Sequence, residues 1–296
     1  MKLKLIAGLI RVWTLPMTAS LILLGAAYAF YLGLRVSFLT LLLALSGSLL
    51  LHAGANVLND VNDTYKGVDK PESPTALYRP HPLLKGEISM RSALILALSL
   101  IASGVGVGLI VSLLTAPLVL LLTLAGTTSL FSYNGPLLNL KARGAGEFLV
   151  SAVWGPMFVL GGFAASSMGT LSLKAFLVSI PAGMIMFSVI YSNNYRDIPT
   201  DVVSGVKSFA YRTAKYGAII YSVFIFGAYF LQLVYEALGI LDLLALINFL
   251  TLPYAFYLVK LFKRKPPDID ARTGVLFTAF NVLLALGLLI KFVIKA

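Results

Sequence analysis

The segment Asn59-Asp60-Val61-Asn62-Asp63-Thr64-Tyr65-Lys66-Gly67-Val68-Asp69 decides how this chain is read. It places three carboxylates and two amides within eleven residues, directly after the apolar run 37–58. If that run is a helix that continues into the segment, Asn59 and Asp63 are four apart and Asp60 and Asp63 three apart, so they share a face. Carboxylates crowded at the end of such a helix repel one another and attract a cation. Oxygen donors without a second His or Cys at ligand spacing favour Mg²⁺, Mn²⁺ or Ca²⁺ over zinc. The stretch Asn193-Asn194-Tyr195-Arg196-Asp197-Ile198-Pro199-Thr200-Asp201 repeats the order of amide, then aspartate. Pro199 predicts a helix end or kink there rather than a clean i,i+4 pair, because proline removes a helical hydrogen bond.

Composition extends the apolar reading to the whole chain. Of the 296 residues, 59% are hydrophobic and 12% charged, and the mean hydropathy is +0.91. That is too little polar surface to cover a water-soluble globule. Backbone amides find no water in hydrocarbon, so spanning segments are helices or a closed barrel. Apolar stretches of about 20 residues, rather than about 10 with alternation, select helices. The expected fold is all-α and polytopic, a single membrane-embedded domain over 1–296. Its nine transmembrane helices fall near 14–32, 37–58, 92–111, 115–133, 147–165, 173–195, 214–235, 240–259 and 274–294. The first apolar segment is followed by many more, so it reads as a spanning helix rather than a cleaved signal. With no cysteine, neither a disulfide framework nor a thiolate metal site is available. The aspartate-rich segment after the second span recurs after four further spans. This reads as duplication of a four-helix unit, about 1–140 and 141–265, with a final helix at 274–294 appended.

Charge sets the orientation. Of the 23 Lys and Arg, all but Arg35, Lys174, Lys291 and Lys295 fall on the side of the N-terminus. The positive-inside rule therefore places the N-terminus and both acidic segments in the cytoplasm, with the C-terminus outside the cell membrane. The net charge of +11 is explained by insertion, and no nucleic-acid partner is expected. The rule gives acidic residues no side, yet all 12 except Glu236 and Asp242 are also cytoplasmic. Lone Asp–Lys neighbours are ordinary solvated pairs; two amide–aspartate clusters at matching places point to function.

Basic residues interleave with these acids: Lys66 and Arg79, then Lys141 and Arg143, then Arg196, Lys207 and Arg212. A diphosphate carries more negative charge than a metal ion alone offsets, and Lys or Arg is its usual complement. Each taken singly also serves as a topology signal, except Lys66, which lies inside the acidic segment. Tyr133, Tyr191 and Tyr195 belong equally to an interfacial aromatic belt or to a site whose ring faces stabilise a carbocation. His52 and His81 lack a ligand partner at metal spacing, so packing or hydrogen bonding is expected of both.

Further motifs are Arg11-x-x-Thr14-Leu15-Pro16, Pro136-Leu137-x-x-Leu140-Lys141-x-Arg143-Gly144-x-Gly146-Glu147, and Asn193-Asn194-x-Arg196-Asp197-x-x-x-Asp201-x-x-x-Gly205. Together with the first segment they resemble the UbiA superfamily of intramembrane aromatic prenyltransferases, over most of the chain. Gly67-x-Asp69 followed by Lys70-Pro71 is similar to the 1,4-dihydroxy-2-naphthoate branch of menaquinone biosynthesis, rather than to the 4-hydroxybenzoate or haem O branches. The resemblance implies Mg²⁺ held by Asp60, Asp63, Asp69, Asp197 and Asp201. Lys66 joins these in the catalytic set. Asn59, Lys66, Arg79, Lys141, Arg196 and Lys207 would contact diphosphate, and Arg11, Asn193, Tyr133 and Tyr195 complete the substrate-binding set. Pro199 and the run Val206-Lys207-Ser208-Phe209-Ala210 depart from the family pattern.

The expected activity is Mg²⁺-dependent transfer of a polyprenyl group from its diphosphate to an aromatic acceptor, with the lipid bilayer as surroundings. Within the superfamily the alternative acceptor is a glycerol phosphate lipid precursor. Outside it the alternative is a transporter of divalent cations or organic anions, which would place ionisable groups near the membrane midplane; here the clusters sit at one mouth.

Overall fold

A computed structural model of the protein describes residues 3–136 and 138–295, without the side chains of Thr75 and Lys295. Lys2, Leu137 and the Lys295 side chain, used above for topology and motif, lie outside what is described. Every regular element among the described residues is helical. Eight helices are long and apolar enough to cross a membrane. With one more helix, Pro117–Asn134, they give α1 Leu15–Tyr31, α2 Phe38–Tyr65, α3 Met90–Leu114, α4 Pro117–Asn134, α5 Gly146–Ser166, α6 Leu173–Asp201, α7 Gly217–Ala237, α8 Leu243–Phe262 and α9 Ile269–Lys295. α4 stands where the fourth span is expected. It falls outside the eight because its second half carries Thr127, Thr128, Ser129, Ser132 and Asn134. Its hydroxyls bond back to carbonyls four residues earlier, Thr127 to Thr123 and Ser129 to Ala125 at 2.8 Å each, so they need no water.

Two helices extend well past their expected ends, and both extensions carry site residues. α2 runs to Tyr65 rather than stopping near 58, because its terminal amides and acids pair with one another and with α4. α6 runs to Asp201, through both Pro181 and Pro199. The expected break at Pro199 is therefore corrected. Proline in the last turn forfeits only one helical bond, and Asp197 and Asp201 stand one turn apart on a continuous helix.

α1 and α6 are the most enclosed spans. Around them a core of Tyr28, Phe163, Phe187, Tyr221, Phe262 and Phe280 joins α1, α5, α6, α7, α8 and α9. A smaller cluster, Val57, Val61, Ala93, Ala97 and Ile101, joins α2 to α3. Helices in lipid gain nothing from hiding apolar surface from water, so close backbone approach carries the packing. At the α1–α5 crossing, a Cβ on Gly25 would lie 2.2 Å from the Val159 carbonyl oxygen, and one on Gly162 would lie 2.4 Å from that of Ile22. Gly162→Val should separate these helices and destabilise the detergent-solubilised protein by about 1–3 kcal/mol. Gly106→Ala, where a Cβ meets nothing within 4 Å, should leave the thermal unfolding midpoint unchanged.

Candidate active site at the paired aspartate segments

The ends of α2 and α6 meet over a small polar pocket of about 60 Å³. Arg11, Asn59, Asp63, Asp69, Arg79, Tyr133, Lys141, Asn193, Asp197 and Asp201 all line it, joined by Tyr78, Thr200 and Asp270. The two motifs are linked by one ammonium. Lys141 Nζ lies 3.8 Å from Asp63 Oδ2 and 3.5 Å from Asp201 Oδ2. Its main chain is pinned by its N–H on the Tyr133 carbonyl at 2.8 Å. Burial alone would lower the Lys141 pKa, but Asp63 and Asp201, with Tyr133 and Asp197 behind them, hold it well above the ordinary lysine value.

Asp63 is positioned by amides. Asn59 Nδ2 donates to its Oδ2 at 3.2 Å, and Asn134 Nδ2 donates to its Oδ1 at 3.0 Å. Asn134 also reaches the Asn59 side chain at 2.9 Å and accepts from Asn62 at 3.0 Å, fastening α4 to α2. Lys66 is exposed and donates to the Asn134 carbonyl. Asp69 lies beyond the helix and is held by His81 Nε2 at 3.0 Å. The Leu84 N–H points at His81 Nδ1 at 3.4 Å, so the imidazole proton sits on Nε2 and donates to Asp69.

Asp60 has a different environment. It is fully buried, ion-paired to Arg11 and to both terminal nitrogens of Arg79, at 2.8 and 3.2 Å. Removing both arginines would leave an uncompensated buried charge, a cost of about 3–5 kcal/mol. Asp60, Asp69 and His81 offer ligand atoms all within 4.8 Å of one another. The arginines already saturate Asp60, however, and the His81 nitrogens are both engaged. Asp60 and His81 thus hold neighbouring segments together, while Asp63, Asp69, Asp197 and Asp201 line the pocket.

Arg196 is committed as well. Its Nε and Nη2 donate to Asp197 at 2.7 and 2.8 Å, Nη1 to Asp270 at 2.6 Å and to the Pro267 carbonyl at 2.7 Å, and Nη2 to Asn193 at 2.8 Å. All five guanidinium N–H groups thereby have protein partners. Tyr78 donates to the other Asp270 oxygen at 2.8 Å, and its ring faces the Arg196 guanidinium at 5.0 Å. Asp270, at the start of α9, thus ties the loop after α2 to α6 across the pocket.

Lys66, exposed on its Asn134 contact, borders neither cavity, and two further expected residues stand apart. Lys207 is exposed and does not border the pocket; its carbonyl accepts from Arg212 Nε at 3.1 Å. Tyr195 packs on Phe262 at 4.8 Å beneath Lys265, away from both cavities, as belt and packing would have it. Tyr133 faces both. Sequence reasoning assigned no role to Asn134, Tyr78 and Asp270. The available signal was weak: a lone amide ending α4, and an acid opening the last span. Glu147, quoted only within a motif, is fully buried and accepts from Asn194 at 2.9 Å and from the Ala210 N–H at 3.0 Å.

Below the polar pocket lies a cavity of about 700 Å³. Arg11, Asn59, Tyr78, Arg79, Tyr133, Asn193 and Asp270 border both. Deeper in, Met17, Val153, Trp154, Met186, Val189, Val275 and Val282 make the walls apolar. Pro156, which lacks an N–H, sits in a π-turn over Val153–Met157, and this widened turn carries Val153 and Trp154 on the cavity wall. A ligand with a charged head and a long apolar body fits this arrangement of a polar pocket over an apolar cavity.

Comparison with known proteins agrees with that geometry. The model of the UbiA prenyltransferase family matches residues 12–288. UbiA prenyltransferase domain-containing protein 1 of Danio rerio is 27% identical over 287 residues, covering 93% of this chain and 83% of its own. The 1,4-dihydroxy-2-naphthoate octaprenyltransferase of Bacillus subtilis is 26% identical over 295 residues, covering 96% and 92%. Among solved structures, a UbiA homolog from Archaeoglobus fulgidus bound to GPP and Mg²⁺ superposes with a TM-score of 0.67 at 15% identity, over 96% of this chain and 99% of that one. The described helices, the two aspartate segments and the matched span agree: the chain is a polytopic integral membrane protein and a prenyltransferase of the UbiA family.

Proposed function

We propose that this prenyltransferase moves a polyprenyl group from its diphosphate to an aromatic acceptor, 1,4-dihydroxy-2-naphthoate, in quinone biosynthesis. The observation that carries the reading is the Lys141 contact to both Asp63 and Asp201, at the head of the apolar cavity. The Bacillus subtilis relative and the Gly67-x-Asp69-Lys70-Pro71 sequence support this acceptor. The bundle end carrying both motifs holds most of the Lys and Arg, which supports a cell-membrane protein with a cytoplasmic site.

The pocket suits a hard divalent cation. Asp201 Oδ2 is buried without a hydrogen-bond donor, and the carboxylates that face the space offer only oxygen. Asp63, Asp69, Asp197 and Asp201 would hold Mg²⁺, which when bound supplies charge to offset a leaving diphosphate. Arg11, Arg79 and Lys141 line the same space and would orient the phosphate oxygens. Arg196 acts one step removed, by fixing the Asp197 carboxylate. The prenyl body lies in the apolar cavity, whose walls exclude water that would quench an allylic cation. Heterolysis of the C–O bond releases pyrophosphate; the electron-rich acceptor ring attacks the cation, and its carboxylate leaves as carbon dioxide. Tyr133 borders both spaces and presents its ring where that cation forms.

Purified protein, Mg²⁺, geranylgeranyl diphosphate and a panel of acceptors, with products read by mass spectrometry, tests the reaction. Asp63→Ala and Asp201→Ala should each lower product formation by at least about 100-fold, with membrane insertion intact; full activity in either would count heavily against the mechanism. His81→Ala should raise the Mg²⁺ concentration needed for half-maximal rate by about 10-fold, through loss of Asp69 positioning. His81→Gln, which keeps an N–H donor, should recover part of that loss, and equal behaviour of the two variants would remove His81 from this role.

A further inference from the structure

The Lys141 ammonium contacts one carboxylate from each motif, and among the described residues no other Lys or Arg forms an ion pair with either. Lys141 is only 6% exposed, and Asp63 and Asp201 are each 4% exposed, so the three charges meet with little water between them. The outer partners of this trio are fixed. Amides of Asn59 and Asn134 take both oxygens of Asp63, whereas Asp201 Oδ2 has Lys141 alone. Asp69, Asp197 and the Tyr133 ring surround the same space. The backbone of Lys141 is clamped, by its own N–H on Tyr133 and by Leu140 N–H on Ser132 at 3.0 Å. The four-carbon stem beyond it is the part free to turn.

We infer that the Lys141 ammonium is the built-in counterion of Asp63 and Asp201, so that a divalent cation binds these two carboxylates in competition with it rather than beside it. This rests on the proposed role of the two motifs in holding a metal, and adds a direction to it. A cation shared by Asp63 and Asp201 would compete for the place of the ammonium, which lies 3.8 Å and 3.5 Å from their Oδ2 atoms. At that range two positive charges with little water between them repel strongly. Lys141 must then swing off the carboxylates, and the anion it meets on leaving is the diphosphate. Metal and diphosphate thereby favour each other's binding, and metal alone binds weakly.

The opposite sign of effect separates this role from a simple diphosphate contact. Mn²⁺ is titrated alone into the detergent-purified protein at pH 8, and the free ion is followed by electron paramagnetic resonance. Lys141→Met should bind Mn²⁺ about tenfold more tightly than wild type, the equivalent of about 1.4 kcal/mol. If Lys141 serves only the diphosphate, the variant binds Mn²⁺ with wild-type affinity or more weakly, which overturns the inference. Should Lys141→Met and Lys141→Gln both unfold without a divalent ion, recovery of the folded protein by Mn²⁺ supports competition, and no recovery overturns it. Prenyl transfer by the wild type is measured in parallel. Transfer with unchanged Mn²⁺ affinity in the variant sinks this inference alone, whereas absence of transfer sinks the proposed function.

Discussion

Neutralising buried aspartates at one end of an apolar bundle is the constraint on which the rest of this structure depends. Carboxylates taken out of water are tolerated only when paired or ligated. Each aspartate of the first segment has its own solution: two arginines for Asp60, two amides and Lys141 for Asp63, and a histidine for Asp69. The second segment uses Arg196 for Asp197 and Lys141 for Asp201. These pairings draw residues from α2, α4, α6, α9 and the intervening loops into one place, and they determine where the bundle closes.

The pairings divide the acids into two groups. Asp60 and Asp270 are consumed by guanidinium groups and hold elements together: Asp60 anchors Arg11 and Arg79 beneath the pocket, while Asp270 joins Arg196 and Tyr78 across it. Asp63, Asp69 and Asp201 meet weaker or longer partners and face the pocket. The strong pairs make a rigid rim and the weak ones leave carboxylates able to change partners, which is what a site for a metal and a diphosphate needs. Glu147 supports the rim from behind by fastening α6 to the turn at Phe209–Arg212.

Much of this was legible along the chain. The spacing of Asn59, Asp63, Asn193 and Asp197 marked the pocket. Other features were opaque for definite reasons. Pro199 reads locally as a helix breaker, yet its place in the final turn makes the loss a single bond. Lys207 and Tyr195 carry the right chemistry, but Lys207 lies exposed in the loop before Phe209, and helix geometry turns Tyr195 to the packing around Phe262. Arg196 reads as a phosphate ligand until its five donors are followed to protein acceptors.

The sequence by itself determined a helical bundle in lipid, because a chain this apolar has no other way to satisfy its backbone, and it determined that two oxygen-rich segments end helices on one face. Only the tertiary structure decided which carboxylates are available. Partners such as Asn134, His81 and Asp270 lie between 12 and 74 residues from the groups they bind, and such pairings have no local periodicity. Whether an aspartate is a bracket or a ligand is set by the charge opposite it, and that charge arrives only when distant helices pack.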